Sequence, residues 1–356
     1  MCRAAAVSSC MDADETRAAT PFRALETLGD GQRPYVRVVT RAFGTLPPHP
    51  VTLAVEASSL NYKDALAAAG RPGVIRRYPA TPGIDAAGRV LASDDPAWPV
   101  GSRAIVTSYD LGMGTPGGLA ERVRVPGAWL QPLPDGWDAE TAMGFGTAGL
   151  TASLALARLE SVGVTPAAGP VAVTGAAGGV GSCAVALLAA NGYEVIAVSG
   201  RAEAERARLV ALGAQAVWTR AQLAEGSDRA LRSADLAAAV DAVGGPPLAQ
   251  LLARVRPGGA VAAAGTVAGS ALETTVFPFV LRGVALLGVD SAEAAASARA
   301  VAWRRLADAG IEERLRPSWR IVGLDEVEPW LAALLEGGVA GRVVVSTAVA
   351  SNGSGA

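Results

Sequence analysis

The chain has 356 residues, about half of them apolar, with 31 basic side chains against 33 acidic ones. This length favours two domains, and a net charge of −2 argues against a dedicated binder of nucleic acid or anionic membranes. Three scattered cysteines with no CxxC, and a single histidine, give neither a disulfide framework nor the material for a nitrogen–sulfur zinc site, so a reducing, cytoplasmic setting is expected.

Residues 1–20 lack periodicity and 347–356 ("TAVASNGSGA") are small and polar, so both are expected to be loose tails. From Phe22 to about Thr147 the chain shows short apolar runs broken by Pro and Gly: "VTLAVEAS", "AAGRVLAS", "SRAIVTS" and "LAERVRVP". Closely spaced turn signals of this kind predict a mostly β unit. Inside it, "NYKD" at 61–64 carries Lys63, the chain's only lysine. Whether the stretch is extended or opens a helix with Asn61 near the cap, Tyr62 and Lys63 point in different directions.

After Thr147, strand-like runs alternate with helical ones: "VAVTG" and "GSCAVALLAANG", "EVIAVSG" and "AEAERARLVALG", "AAAVDAVG" and "PLAQLLARVRPGG". That alternation predicts βαβ units on a parallel sheet. The uncharged stretch from Ser161 to Tyr193 is too rich in Gly and Pro for one membrane-spanning helix and reads as strand, loop and helix. The expected plan is therefore α/β. A nucleotide-binding module over 147–284 is inserted into a β domain made of 21–146 and 285–346.

Gly175, Gly178 and Gly181 stand three apart, directly after a strand and before a helix. Such a loop turns tightly and lets backbone N–H groups approach a pyrophosphate at the helix N-terminus. Ala177, Gly178, Gly179 and Val180 are the candidate contacts. The next strand ends in Ser199-Gly200-Arg201, with no carboxylate until Glu203. A hydroxyl and a guanidinium suit a 2′-phosphate, whereas an acidic residue would repel it, so NADPH is expected over NADH.

Four motifs, "NYKD" at 61–64, "PGIDAAG" at 82–88, "GGLAERVRVP" at 117–126 and "VTGAAGGVG" at 173–181, resemble the zinc-independent medium-chain dehydrogenases/reductases of the quinone-oxidoreductase type. The resemblance implies a GroES-like β domain, an inserted Rossmann domain, and a homodimer formed through the latter. It also implies that no zinc is bound. Asn61-Tyr62-Lys63-Asp64 stands where zinc-dependent relatives have a ligand cysteine, and Gly83-Ile84-Asp85 where they have Gly-His-Glu. With "AVSGR", "VFPFVLRGVALLGVDS" and "AGRVVV" added, the chain is similar to the acrylyl-CoA reductase-like group, which uses NADPH to reduce the double bond of a short enoyl-CoA.

From that resemblance Tyr62 is expected at the nicotinamide side of the cofactor, as proton donor or packing surface, with Asn61 and Asp64 as further catalytic candidates. Arg220 is implied as a second guanidinium for the 2′-phosphate, and Thr266, Val280, Ser291 and Arg342 as lining the nicotinamide half. The loop "TSYDLGMGTPGGLAE" departs from the acrylyl-CoA reductase pattern of Trp-Gly and His-Trp, which leaves a quinone or enone reductase as an alternative. A catalytically silent NADPH-binding module is a third. Arg76 and Arg77 in "VIRRYP" read either as a solvated pair or as groups that attract CoA phosphates.

Overall fold

The computed structural model describes residues 20–29 and 34–347, so the tails expected over 1–19 and 348–356 lie outside the described residues. Thr347, expected in the C-terminal tail, is buried instead, with its backbone N–H donated to the Glu56 carbonyl at 3.2 Å.

In chain order the first part supplies β1 (Phe22–Leu28), β2 (Tyr35–Arg41), β3 (Val51–Ser59), α1 (Tyr62–Ala68), β4 (Asp85–Ser93), β5 (Arg103–Thr107), β6 (Arg122–Val125), β7 (Leu130–Pro132) and α2 (Ala139–Ser161). The middle supplies β8 (Val171–Thr174), α3 (Gly179–Ala190), β9 (Val195–Ser199), α4 (Ala202–Ala211), β10 (Ala216–Thr219), α5 (Arg220–Ala224), β11 (Leu236–Asp241), α6 (Gly245–Arg254) and β12 (Val255–Ala263). The last part holds α7 (Phe277–Arg282), β13 (Ala285–Gly288), α8 (Ala296–Asp308), β14 (Trp319–Gly323), α9 (Glu328–Leu335) and β15 (Arg342–Ser346).

Two compact units result: 20–147 with 320–347, and 148–319. In the first, β3 is the hub, pairing antiparallel with β4, β6 and β15. Its inward residues Val51, Leu53 and Val55 join Val90, Val106, Val123 and Val125 in one buried cluster, as a β-branched strand surface allows. A second cluster packs Leu60 and Ala65 against Val327, Leu331, Val343 and Val345, which fastens the returning C-terminal segment beside α1.

The second unit is a six-stranded parallel sheet in the order β10-β9-β8-β11-β12-β13. β8, β9 and β11 are almost wholly apolar runs, as strands covered on both faces should be. The order reverses between β8 and β11, and ligands of open α/β sheets bind at such a switch point, outside the carboxyl ends of the strands. The expected return to the first unit at 285 needs correction to 320. β13 pairs in parallel with β12, Ala260 opposite Ala285, so "ALLG" completes the inserted sheet rather than leaving it.

Candidate active site and cofactor loop

The "NYKD" stretch turns from strand to helix at Asn61, which has extended backbone (φ −124°, ψ 160°) and caps α1. Sheet register decides what gathers around it. Ser58 pairs with Ala86 across β3 and β4, which brings Asp85 opposite Ser59. Val344 pairs with Ser59 across β15 and β3, so two residues further on Arg342 stands opposite Asn61.

The side chains close into a buried polar cluster. The fully buried Asp85 carboxylate accepts from Ser59 Oγ (2.7 Å), Asn61 Nδ2 (2.8 Å), the Thr147 N–H (2.9 Å) and Thr147 Oγ1 (2.5 Å). Arg342 donates to the Leu60 carbonyl (3.0 Å), Asn61 Oδ1 (3.1 Å) and Ser59 Oγ (2.7 Å), and stands 3.6 Å from Asp85 Oδ2. Gly146 completes the enclosure. It breaks α2 with φ 49° and ψ −150°, and a Cβ there would lie 2.5 Å from Asp85 Oδ2. Thr147 in turn shares a hydroxyl contact of 2.9 Å with Ser108, which adopts a left-handed conformation (φ 59°) together with Tyr109 (φ 53°). Strained non-glycine backbone of this kind gathers at functional sites.

Asp64 sits just below. One oxygen accepts the N–H groups of Gly83 (3.1 Å) and Ile84 (2.9 Å), the other the N–H of Asn61 (2.8 Å), so it ties the cap of α1 to the loop before β4. Burial, with the Asp85 charge nearby, pushes its carboxyl up to about 7, against the pull of the donors on Asn61 and Ile84. The folded state then holds a proton that the unfolded chain has released, so this group's contribution to stability is full below about pH 4 and fades as pH rises to about 7. Asp64→Asn is expected to remove that decline. The gap in urea midpoint between wild type and variant should therefore shift against the wild type from pH 4 to 7.5; an unchanged gap would refute the assignment.

In the second unit the glycine loop follows β8 and runs into α3. Gly175 has φ 61°, and a Cβ on Gly181 would come within 2.2 Å of the Gly175 carbonyl, so no larger residue fits this turn. The first-turn N–H groups of Gly179, Val180 and Gly181 have no partner within the helix and are available to an anion. Arg208 braces the loop from α4, donating to the Ala177 carbonyl (2.9 Å) and to Ser182 Oγ (3.1 Å).

Ser199 ends β9, and its Oγ accepts the Arg201 N–H at 3.0 Å. β10 runs parallel with Thr219 opposite Ser199, which sets Arg220 beside Gly200. A Cβ on Gly200 would lie only 2.7 Å from the Arg220 guanidinium. Ser199, Arg201 and Arg220 thus converge at the carboxyl ends of two neighbouring strands. Of the other expected contacts, Thr266 borders the switch-point loop at Gly244, Val280 is exposed on α7, and the Ser291 hydroxyl accepts from Thr151 at 2.8 Å. Arg342, expected to line the nicotinamide half, has its guanidinium engaged by protein acceptors inside the buried cluster.

The sequence reading missed Asp85, Ser59, Thr147 and Asp241. Asp241 closes the apolar strand β11, takes the Thr174 hydroxyl (2.6 Å) and the Gly244 N–H (2.7 Å), and has its carboxyl pushed upward by burial. The available signal was a lone carboxylate next to an apolar run, in "GIDAAG" and "LAAAVDAVGG". Among the described residues no group of three His, Cys, Asp or Glu side chains is placed to hold a metal ion. With both Asp85 oxygens taken by protein donors, the donor set at the zinc position does not fit that ion.

Residues 47–135 match the alcohol dehydrogenase GroES-like domain and 179–307 the family described as zinc-binding dehydrogenase. YhfP of Bacillus subtilis, which bears a quinone-oxidoreductase name, is 42% identical over 327 residues, 92% of this chain and 99% of that protein. The chain belongs to the medium-chain dehydrogenase/reductase family. Acrylyl-CoA reductase AcuI of Ruegeria pomeroyi is 45% identical over 300 residues, 84% of this chain and 91% of that one. Among solved structures, YhdH of Salmonella enterica in complex with NADP superposes with a TM-score of 0.88 at 43% identity, covering 91% of this chain and 99% of that one. YhfP with NAD bound gives 0.88 at 41% identity, covering 92% of this chain and all of its own. The GroES-like and Rossmann architecture expected from the motifs is therefore that of the protein. No helix among the described residues is long and apolar enough to cross a membrane.

Proposed function

We propose that this protein is an NADPH-dependent reductase of an activated carbon–carbon double bond, with acrylyl-CoA or a close enoyl-CoA as acceptor. The observation that carries the coenzyme half is the placement of Ser199, Arg201 and Arg220 together at the ends of β9 and β10, with the Arg220 guanidinium beside Gly200. When bound, NADPH supplies a hydride to the β-carbon. Charge then develops on the thioester carbonyl, and the α-carbon takes a proton. The glycine loop would hold the pyrophosphate, and Arg201 with Arg220 would neutralise the 2′-phosphate. The polar cluster of Asp85, Arg342 and Asn61 holds the start of α1 rigid, which orients Tyr62 at its first position.

Similarity to an acrylyl-CoA reductase supports the acceptor, while the name of YhfP and the altered 107–121 loop favour a quinone or enone as the second reading. NADPH absorbance followed with acrylyl-CoA, crotonyl-CoA and a small quinone decides between them: the thioesters are expected to turn over, and turnover of quinone alone would overturn the first reading. For Tyr62 the expected role is packing at the nicotinamide, so Tyr62→Phe should keep kcat/KM within about threefold, whereas a hundredfold loss would assign proton donation to the phenol.

The outer strand β13 and α7 expose Val276, Phe277, Val280, Leu281 and Leu286, an apolar edge suited to a second copy of the chain. A homodimer through this edge is expected by light scattering, and Leu281→Glu should shift the mass to that of one chain.

A further inference from the structure

We infer that a cavity on the first unit is a phosphate-binding subsite that holds the phosphorylated adenosine end of coenzyme A; this rests on the thioester reading above. The cavity measures about 340 Å³. Its floor is apolar, formed by Phe22, Leu46 and Ala120 of one buried cluster. Its wall carries four guanidiniums, Arg41, Arg76, Arg77 and Arg122, against a single carboxylate, Glu26.

These four arginines come from three separate segments: β2, the loop after α1, and β6. A solvated pair such as Arg76-Arg77 read alone would require no such convergence. Glu26 is buried and already engaged by Arg41. Arg76 reaches Asp110 at 3.2 Å and links the two loops that form the rim. Arg77 makes no ion pair among the described residues, which leaves positive charge facing the space. A concave surface lined mostly by one sign of charge concentrates counter-ions, and the planar guanidinium matches a phosphate through two parallel hydrogen bonds.

The wall is also continuous with the buried polar cluster around Asn61. Thr81 lines the cavity, and its carbonyl accepts the Gly117 N–H at 2.8 Å. Two residues on, the N–H of Gly83 is held by Asp64. A ligand whose anionic end rests among the arginines therefore lies against the same loop that anchors the start of α1. An apolar floor under a cationic rim fits an adenine ring carrying phosphates better than it fits inorganic phosphate.

Two sets of measurements on the full chain test this. Calorimetric titration with coenzyme A, dephospho-coenzyme A and inorganic phosphate reads binding without turnover. Initial rates with acrylyl-CoA and with acrylyl-pantetheine, which lacks phosphate, read its use. Arg77→Gln, at an exposed position, is expected to weaken coenzyme A binding and raise KM for acrylyl-CoA about tenfold. The kcat and the KM for acrylyl-pantetheine should stay unchanged, and Arg77→Lys should recover part of the loss. Equal coenzyme A affinity in wild type, Arg77→Gln and Arg122→Gln, or no binding at all, would overturn the subsite even if acrylyl-CoA is reduced. Inorganic phosphate binding as tightly as coenzyme A would also overturn it. Arginine-dependent coenzyme A binding with turnover of quinone alone would instead overturn the thioester reading and uphold the subsite.

Discussion

Replacing Arg201 and Arg220 together by alanine is expected to raise KM for NADPH by about a hundredfold, and to leave that for NADH within about twofold. Each guanidinium–phosphate contact is charge-assisted, worth about 1.5–3 kcal/mol, and two of them at the lower end of that range account for a factor of that size. The expectation rests on geometry at the strand ends. Ser199 accepts the Arg201 N–H and holds the turn, while the parallel register of β9 and β10 delivers Arg220 to the flank of Gly200. NADH carries no charge at the ribose 2′ position and gains nothing from either group. Ser199→Asp should act in the opposite sense, repelling the 2′-phosphate and offering the ribose hydroxyl an acceptor, so that preference moves toward NADH. The contrast matters because one similar protein, YhfP, has been solved with NAD bound and another, YhdH of Salmonella enterica, with NADP. Equal losses with both coenzymes would show that the arginines support the strand ends and do not read the phosphate.

The coenzyme loop was legible because its requirements are local. Tight turning and close approach leave glycine as the only choice at Gly175 and Gly181, and an anion contact at the end of β9 must come from the next two or three residues. The alternation of apolar runs and helices likewise foretold the parallel sheet, since each strand and its crossover lie within about thirty residues. What was not legible depends on register between distant segments. Arg342 reaches Asn61 only because β15 pairs with β3 across some 280 residues, and the spacing of "AGRVVV" holds no trace of that pairing. The boundary at 285 failed for a related reason. "ALLG" is equally suited to an edge strand of either sheet, and only its pairing with β12 assigns it. Asp85 was visible within "PGIDAAG", yet nothing adjacent reveals that Ser59, Asn61 and Thr147 all donate to it.

That cluster carries the second large effect. Asp85→Ala is expected to cost about 3–5 kcal/mol, because it leaves the buried Arg342 guanidinium without its counter-charge and strips the acceptor from Ser59, Asn61 and Thr147. Such a loss does not by itself establish a catalytic purpose, since any buried ion pair behaves this way when halved. The double variant Asp85→Leu/Arg342→Met separates stability from positioning. Apolar replacement of both partners removes the desolvation cost of the pair and should return the urea midpoint part of the way to wild type, the donors on Ser59 and Thr147 still lacking their acceptor. Activity should not return with it. Asn61 would have lost its short Nδ2 contact to Asp85 and the donor to its Oδ1, keeping only contacts of 3.3 Å to the Ser59 carbonyl and Asp64, so the first turn of α1 would be held less tightly against β3. The expected signature is a partly recovered midpoint with kcat/KM still down at least tenfold, and with the loss in kcat rather than in coenzyme KM, because the glycine loop belongs to the other unit. A double variant recovered in both respects would mean that the cluster serves folding alone.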